Sequence, residues 1–201
     1  MIAFAENRPT PSAAVLEGMF IVWRGLFSQA ELDSIERHGD SLAHQDAGML
    51  AGTDGYDAAR VTKVAWIGRD DRSEALFHKL EEVVLAINAQ FFRYDLSGIM
   101  ALQYTIYNEA EGSRFGWHQD YGVNEASGGE TRKLTLSLQL SNGADYEGCE
   151  LQTQLGDKQD SAPRERGTLV GFPAYVPHRV TPIVAGTRKC LVIWAVGPEL
   201  R

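Results

Sequence analysis

The chain has little cysteine, no run of basic residues and no long hydrophobic stretch. Its two cysteines, Cys149 and Cys190, lie inside apolar segments without disulfide or zinc-motif spacing, so we predict buried free thiols. No window approaches the roughly 18 apolar residues of a membrane-spanning helix. Residues 1–12 also lack the basic start, apolar centre and cleavage site of a signal peptide. These absences predict a cytoplasmic protein with no membrane partner.

The charge balance is acidic, with a formal net charge of -8 and a sequence pI near 5.1. Such a surface repels phosphate backbones unless basic residues cluster in the fold, so nucleic acid is not an expected partner. Hydrophobic residues at 44% and charged residues at 23% argue against disorder and against a disulfide scaffold. With no repeat, low-complexity tract or linker, we expect a single domain over residues 1–201.

Helical patterns occupy the first half of the chain. The segment Ser28–Glu31 forms a capping-box pattern, and apolar residues follow it on one face, which predicts a helix over 29–44. A second apolar stripe predicts a helix over 71–92, with Ser73 or Asp71 as its cap.

From residue 99 onward the pattern changes to short β-type runs separated by Gly, Asn, Asp and Pro, which is typical of a sandwich or barrel. The predicted strands, with one earlier strand at 61–67, are 99–107, 114–118, 133–140, 149–154, 167–172, 176–180 and 188–196. We therefore predict a mainly β protein whose helices support one face of a sandwich.

One predicted strand, Leu134–Leu140, alternates strictly between leucines and the polar residues Thr135, Ser137 and Gln139. Alternate residues of a strand point to opposite faces, so the polar side chains share one face. A row of neutral polar groups suits the lining of a cup, and a solvent-exposed face explains it equally well.

Three residues form a candidate metal site. His118 and Asp120 are two positions apart, so an extended strand end points both side chains to the same side. His178 lies in an apolar stretch, where an imidazole needs a partner. Considered alone, His118 and Asp120 suggest a polar pair on the surface, and His178 suggests a histidine that is hydrogen-bonded to the backbone. Together they match the two-histidine, one-carboxylate set of non-haem iron oxygenases, and the helical His-Glu-x-x-His pattern of zinc hydrolases is absent.

Arg188 follows His178 by ten positions and starts the apolar segment Cys190–Val196. A guanidinium there is costly without an anionic partner, and a dicarboxylate co-substrate would be one because arginine binds carboxylates bidentately. The alternative is an arginine exposed at the Gly186–Thr187 turn.

These residues fall within a longer series of motifs, after which a family can be named. The motifs are Tyr107–Gly112, Trp117–Asp120, Arg132–Leu140, Tyr146–Leu151, Gly167–Pro173, Pro177–Pro182, Gly186–Arg188 and Val192–Trp194. Over residues 99–198 the chain resembles a 2-oxoglutarate/Fe(II) oxygenase of the prolyl 4-hydroxylase-like branch. The resemblance implies a double-stranded β-helix, or jelly roll, over 99–198, with residues 1–98 supplying helical support and a variable substrate segment.

The resemblance also implies the chemistry. His118, Asp120 and His178 would bind Fe(II), Arg188 would pair with the distal carboxylate of 2-oxoglutarate, and Tyr107 or Thr181 would add a hydrogen bond. With O₂, and with ascorbate as a stimulant, the enzyme would hydroxylate an unactivated C–H bond of an amino acid, a peptidyl residue or a small metabolite, releasing succinate and CO₂. The presence of Asp120, where related halogenases have a small residue, favours hydroxylation over halogenation.

Several points stay open. The usual Gly-Gly-Glu-Leu of the family becomes Gly148–Leu151 with cysteine second, which changes the packing beside the cup. Trp117 and Trp194 flank the ligand segments and suit either a pocket wall or the plain core. The segments 46–57 and 121–129, rich in glycine, suit lids or ordinary surface connections.

Two alternative functions also stay open. A nucleobase demethylase shares the same chemistry, although the acidic balance argues against it. A non-catalytic, cupin-like binding module would use the same cup for a ligand without turnover. The oligomeric state is not predicted.

Overall fold

Two facing β-sheets and two α-helices make up the described part of the protein, residues 14–47, 60–100, 102–124 and 130–199 of a computed structural model. In chain order the elements are β1 (Ala14–Glu17), β2 (Phe20–Trp23), α1 (Gln29–Asp40), β3 (Gln45–Asp46), β4 (Arg60–Val61), β5 (Lys63–Ile67), α2 (Glu74–Ile87), β6 (Gly98–Ile99), β7 (Leu102–Asn108), β8 (Arg114–His118), β9 (Val123–Asn124), β10 (Glu130–Gln139), β11 (Tyr146–Gly148), β12 (Leu151–Leu155), β13 (Lys158–Ser161), β14 (Leu169–Pro173), β15 (His178–Val180) and β16 (Ile183–Gly197).

The larger sheet has the strand order β1-β2-β14-β10-β16-β7-β5-β3, with β6, β9 and β11 attached at its margins. The smaller sheet has the order β13-β12-β15-β8-β4. Neighbouring strands in both sheets are antiparallel. The prediction of a mainly β protein with supporting helices is confirmed, and most predicted strands lie within a few residues of their observed bounds.

Helix α1 begins as the sequence predicts and ends earlier. The Ser28 backbone N–H donates to the Glu31 carboxylate at 2.7 Å and the Glu31 N–H donates to the Ser28 hydroxyl at 3.3 Å, which completes the capping box. The predicted end at residue 44 is wrong, because the Ser41 hydroxyl donates to the carbonyl oxygen of His38 and the chain then turns into β3. The helix therefore ends at Asp40.

Helix α2 is shorter than the predicted 71–92 and continues as a π-helical turn over Asn88–Phe92. Of the two predicted caps, Ser73 occupies the N-cap position and Asp71 does not. Ser73 is the N-cap residue, but its hydroxyl donates to the Gly68 carbonyl, and the backbone N–H groups of Arg72 and Ser73 both donate to the Asp70 carboxylate at 2.9 Å. The Ser73 side chain therefore makes no capping bond to the helix, and the Asp70 carboxylate binds the backbone of the turn that precedes it.

The apolar core has two layers, one on each face of the larger sheet. The four leucines of Leu134–Leu140 pack with the apolar faces of both helices. The polar side chains of β10, at Thr135, Ser137 and Gln139, are also buried, and they face the space between the two sheets. The exposed-face interpretation of this strand is therefore wrong, and the cup interpretation holds.

Some predictions fall partly or wholly on residues that the structure does not describe. Residues 48–57 of the first glycine-rich segment and 125–129 of the second lie outside the described residues.

Cys149 and Cys190 are buried free thiols, as predicted. The strands β1, β2, β3, β9, β11 and β13 were not predicted. Within the described ranges, no helix combines the length and apolar character needed to cross a membrane.

Candidate active site

Two adjacent strands of the smaller sheet bring the predicted metal ligands together. His118 is the last residue of β8 and His178 the first of β15, and the antiparallel register pairs them directly, with ring centroids 4.1 Å apart. Asp120 follows β8 by two residues, and its backbone N–H donates to the carbonyl oxygen of Ala174 at 2.9 Å. One ligand atom from each of the three side chains lies within 4.8 Å of the others, and all three residues are buried.

Hydrogen bonds to the backbone fix the orientation of both imidazoles. His118 Nδ1 is 2.8 Å from the carbonyl oxygen of Gly116, and His178 Nδ1 is 3.0 Å from that of Val176. A carbonyl oxygen only accepts, so each Nδ1 carries the proton and each Nε2 presents a lone pair. The two Nε2 atoms lie 3.8 Å and 3.4 Å from oxygens of the Asp120 carboxylate. Three electron-pair donors therefore converge on one point.

The Asp120 carboxylate is itself held by two donors from the larger sheet. Thr135 Oγ1 donates to its Oδ2 at 2.7 Å, and Trp194 Nε1 donates to the same oxygen at 2.9 Å. Thr135 and Trp194 are direct cross-strand partners in β10 and β16, which brings both donors to one carboxylate. Oδ1 faces His118 Nε2 at 3.8 Å, whereas His178 Nε2 lies 3.4 Å from Oδ2.

The electrostatics of the triad favour a bound cation. Burial, which excludes water, lowers the pKa of His118 to about 3, so the ring is neutral at physiological pH. Burial would raise the pKa of Asp120, but its interactions with His178, His118 and Trp194 outweigh burial and lower it. An ionised carboxylate and imidazole lone pairs are the donor set that a non-haem iron site requires, so these residues fit the metal.

A cavity of about 170 Å³ lies beside the triad, between the sheets. A single water needs about 10–15 Å³, so the space admits a small organic molecule. The cavity is lined by the triad, by Thr135 and Ser137 of β10, and by Arg188 and Trp194 of β16. Because alternate residues of β16 face the cavity, one strand supplies both ends of its wall.

Arg188 is a buried cation without an anionic partner. Its side chain is 4% exposed, Nε donates to Gln139 Oε1 at 3.1 Å, and the guanidinium lies 5.4 Å from the centre of the Tyr107 ring. Its Nη1 has no hydrogen-bond partner among the described residues, and no carboxylate within them forms an ion pair with it. A buried guanidinium in this state fits an anionic ligand in the cavity.

The two residues predicted to assist Arg188 lie in different places. Tyr107 lines the cavity, and burial raises the pKa of its hydroxyl, which stays protonated and able to donate. Thr181 is not among the cavity-lining residues, and its hydroxyl accepts the backbone N–H of Glu150 at 2.9 Å. The structure therefore brings Tyr107 to Arg188 and leaves Thr181 at a strand connection.

The departure from Gly-Gly-Glu-Leu lies next to Arg188. Cys149 has φ 53°, a left-handed conformation that favours glycine, and it lines a small neighbouring cavity together with Arg188 and Gln139. Of the two flanking tryptophans, Trp194 walls the main cavity, whereas Trp117 packs under the Arg179 guanidinium at 4.7 Å.

Comparison with known proteins assigns a segment of the chain to a family. Residues 102–196 match the family model of the 2OG-Fe(II) oxygenase superfamily. This segment belongs to that superfamily. The prediction of an Fe(II)- and 2-oxoglutarate-dependent oxygenase is therefore confirmed.

Individual relatives and solved structures match over most of the chain. A PKHD-type hydroxylase of Shewanella sp. (strain MR-7) is 26% identical over 182 residues, which cover 88% of this chain and 77% of that protein. Among solved structures, a Pseudomonas putida prolyl-4-hydroxylase matches with TM-score 0.68 and 19% identity over 90% of this chain and 94% of its own. A Trichoplax adhaerens prolyl hydroxylase, in complex with a peptide fragment of the hypoxia inducible factor oxygen degradation domain, matches with TM-score 0.67 and 19% identity over 88% and 83%. These similarities confirm the jelly-roll fold.

Proposed function

We propose that this oxygenase hydroxylates an unactivated C–H bond of an amino acid, a peptidyl residue or a small metabolite. In this reaction one atom of O₂ enters the substrate as a hydroxyl group and the other enters succinate, while 2-oxoglutarate loses CO₂. The observation that carries the proposal is a single cavity that contains both the converging His118, Asp120 and His178 and the buried, partly unsatisfied Arg188.

In this proposal His118, Asp120 and His178 would hold Fe(II) and would leave other coordination positions free. When bound, the iron together with 2-oxoglutarate and O₂ supplies the oxidant for the C–H bond. The chain's own part is to fix the ligands. The backbone bonds at Nδ1 keep both Nε2 lone pairs directed inward, and Thr135 and Trp194 hold one carboxylate oxygen so that the other stays available.

Arg188 is proposed to bind the distal carboxylate of 2-oxoglutarate. Gln139 holds its Nε, the Tyr107 ring packs against the guanidinium, and Nη1 remains free to donate. A carboxylate placed here would satisfy the orphaned donor and neutralise the buried charge. The Tyr107 hydroxyl lies in the same cavity and is proposed to add a hydrogen bond.

The family neighbours support hydroxylation of a peptidyl or small substrate. The relative from Shewanella is a PKHD-type hydroxylase, and the Trichoplax enzyme is seen with a bound peptide. As an iron ligand, the Asp120 carboxylate would also fill the position that a halide needs, which favours hydroxylation over halogenation. Stimulation by ascorbate and a cytoplasmic location stay predictions.

The first test is anaerobic reconstitution with Fe(II), followed by 2-oxoglutarate. We expect the weak visible absorption band of the chelate, and then slow succinate release on admission of air. His118→Ala and His178→Ala should abolish iron-dependent turnover, whereas His78→Ala, on the exposed face of α2, should not change it. Normal turnover in either triad variant would contradict the proposed ligand set.

Arg188→Ala should raise the KM for 2-oxoglutarate at least about 10-fold, the effect of losing a hydrogen bond to a charged group. Iron binding without any 2-oxoglutarate turnover would instead favour the non-catalytic binding module. Tight binding of single-stranded DNA at low salt would favour the nucleobase demethylase.

A further inference from the structure

Two arginines other than Arg188 also line the cavity, and neither has a carboxylate partner among the described residues. Arg60, in β4, donates from Nε to Thr62 Oγ1 at 3.1 Å and from Nη2 to Gln103 Oε1 at 2.7 Å, both neutral oxygens. Arg132, in β10, has a buried Nε without any hydrogen-bond partner in the described part of the chain.

Each arginine is separated from the triad by one aromatic ring. The Arg60 guanidinium lies 4.6 Å from the centre of the Phe115 ring, and that ring stacks on His118 at 3.5 Å. On the other side the Arg132 guanidinium lies 4.2 Å from the Trp194 ring, whose Nε1 donates to Asp120. A group bound by both guanidinium ions would therefore be separated from the proposed metal ligands by about one aromatic ring.

Stacking on aromatic rings does not by itself account for this arrangement. A cation–π contact contributes about 0.5–2 kcal/mol, and it leaves the in-plane N–H groups of the guanidinium unbonded. Some arginines outside the cavity reach carboxylates, as Arg166 does with Asp33 and Glu36, while Arg164 and Arg179 also stack on aromatic rings without an ion pair among the described residues. The cavity arginines differ because only one carboxylate, that of Asp120, lies among the described residues that line the cavity with them.

The charge balance of the cavity points to an anionic substrate. Three guanidinium groups stand against one carboxylate, so the lining has an excess of two positive charges when the histidines are neutral. Bound Fe(II) and the two carboxylates of 2-oxoglutarate cancel each other, and the excess of two remains. This occurs in a chain whose formal net charge is -8, so it is a local concentration of positive charge.

We propose that Arg60 and Arg132 together bind a carboxylate of the primary substrate, and that the substrate is an acidic amino-acid-sized molecule or peptide end. The proposal rests on the proposed hydroxylase function and assigns its substrate class. A carboxylate matches the planar donor fork of a guanidinium, and two such groups bracketing one anion would hold the substrate beside the triad. The binding also gives the buried Arg132 Nε the acceptor that it lacks.

The test uses the full-length protein loaded with Fe(II) and 2-oxoglutarate, and matched pairs of probes. The probes are the N-acetyl derivatives of the twenty L-amino acids, each as the free acid and as the carboxamide, and the readout is probe-dependent succinate release. We expect at least one acid to accelerate release with kcat/KM at least about 10-fold above its amide, the value of one hydrogen bond to a charged group.

Variants then assign the preference to the two arginines. Arg60→Gln and Arg132→Gln should each bring the acid-to-amide ratio close to one, chiefly through a higher KM for the acid. Arg114→Gln is the matched control, because Arg114 is an exposed residue of β8 outside the cavity and its loss changes the net charge equally. The control should keep the wild-type ratio.

The outcomes separate this proposal from the proposed function. If the chelate band and uncoupled succinate are present but amides match or exceed acids, or no acid accelerates release, the carboxylate assignment fails while the oxygenase function stands. Acceleration by an oligonucleotide alone would likewise overturn it in favour of a phosphate-bearing substrate. Absence of the band and of succinate in the wild-type protein would contradict the proposed function itself.

Discussion

Replacing Thr135 with valine tests how the protein keeps Asp120 ready for a cation. The Thr135 hydroxyl is one of two donors to the same carboxylate oxygen, at 2.7 Å, and the other is Trp194 Nε1 at 2.9 Å. Valine has nearly the same shape as threonine, so the substitution removes the donor with little change in packing. Asp120 would then keep one of its two donors from the larger sheet.

The expected size of the effect comes from the chemistry of the lost bond. A hydrogen bond to a buried charged group contributes about 1.5–3 kcal/mol, and it stabilises the ionised carboxylate selectively. Its loss should raise the pKa of Asp120, because the ionised form loses one of its donors. Removal of a group that orients a metal ligand typically lowers metal affinity about 10–100-fold. We expect Thr135→Val to lower Fe(II) affinity within that range.

The assay is an anaerobic Fe(II) titration in competition with a chelator, paired with urea unfolding of the metal-free protein. Thr131→Val is the matched control, because Thr131 lies in the same strand, is fully buried, and has a hydroxyl without a partner among the described residues. The control should bind Fe(II) as the wild type does. Equal affinities for Thr135→Val and wild type, or an equal loss in both variants, would refute the reasoning.

Three further perturbations test other parts of the structure. In the folded, metal-free protein the pKa of His118 is about 3, against an ordinary value of 6.5. Between these two pH values the unfolded chain therefore binds a proton at this residue that the folded protein does not bind. Stability should therefore fall as pH decreases through that window, by up to about 1.4 kcal/mol per pH unit. Urea unfolding of His118→Asn should show a flatter pH dependence, and an unchanged slope would contradict it. Lys79→Met leaves the Glu31 carboxylate buried without the amine that lies 2.8 Å away, and should cost about 3–5 kcal/mol in urea unfolding; an unchanged midpoint would count against the ion pair. Gly39→Ala places a methyl group 2.5 Å from the ring of Tyr104, so it should lower Tm at a cost of about 1–3 kcal/mol despite the better helix propensity of alanine, and a higher Tm would disprove the close contact.

Local patterns in the sequence predicted much of the fold and the centre of the site. The alternation of Leu134–Leu140 predicted a strand with one polar face, although not that this face lines the cup, and the spacing of His118 and Asp120 predicted two ligands on one side of a strand end. Both inferences rest on the two-residue period of β-structure, which the sequence displays directly. The position of His178 beside them was inferred from the two-histidine, one-carboxylate ligand set and from the family resemblance, since no local pattern pairs residues 60 positions apart.

The sequence did not predict the groups that act across strands. The bond from Trp194 to Asp120 depends on the register between β10 and β16, which sets Thr135 opposite Trp194. Register is decided by the buried face and by turn geometry over the whole sheet, so a single segment does not contain it. Arg60 and Arg132 were missed for the same reason. The aromatic rings on which they stack, and the cavity that they share, are formed by residues of other strands.

Strand β16 sets the spacing between two residues of the candidate active site. Arg188 and Trp194 lie on the same side of it, six residues apart, which at about 3.3 Å per residue spans roughly 20 Å of backbone. Inserting one residue between them would turn one of the two away from the cavity, whereas inserting two would keep both facing it but separate them by about 7 Å more. The length of this strand segment thus sets the distance between Arg188, the proposed co-substrate anchor, and Trp194, which holds Asp120, so we expect the segment to tolerate substitutions more readily than changes of length.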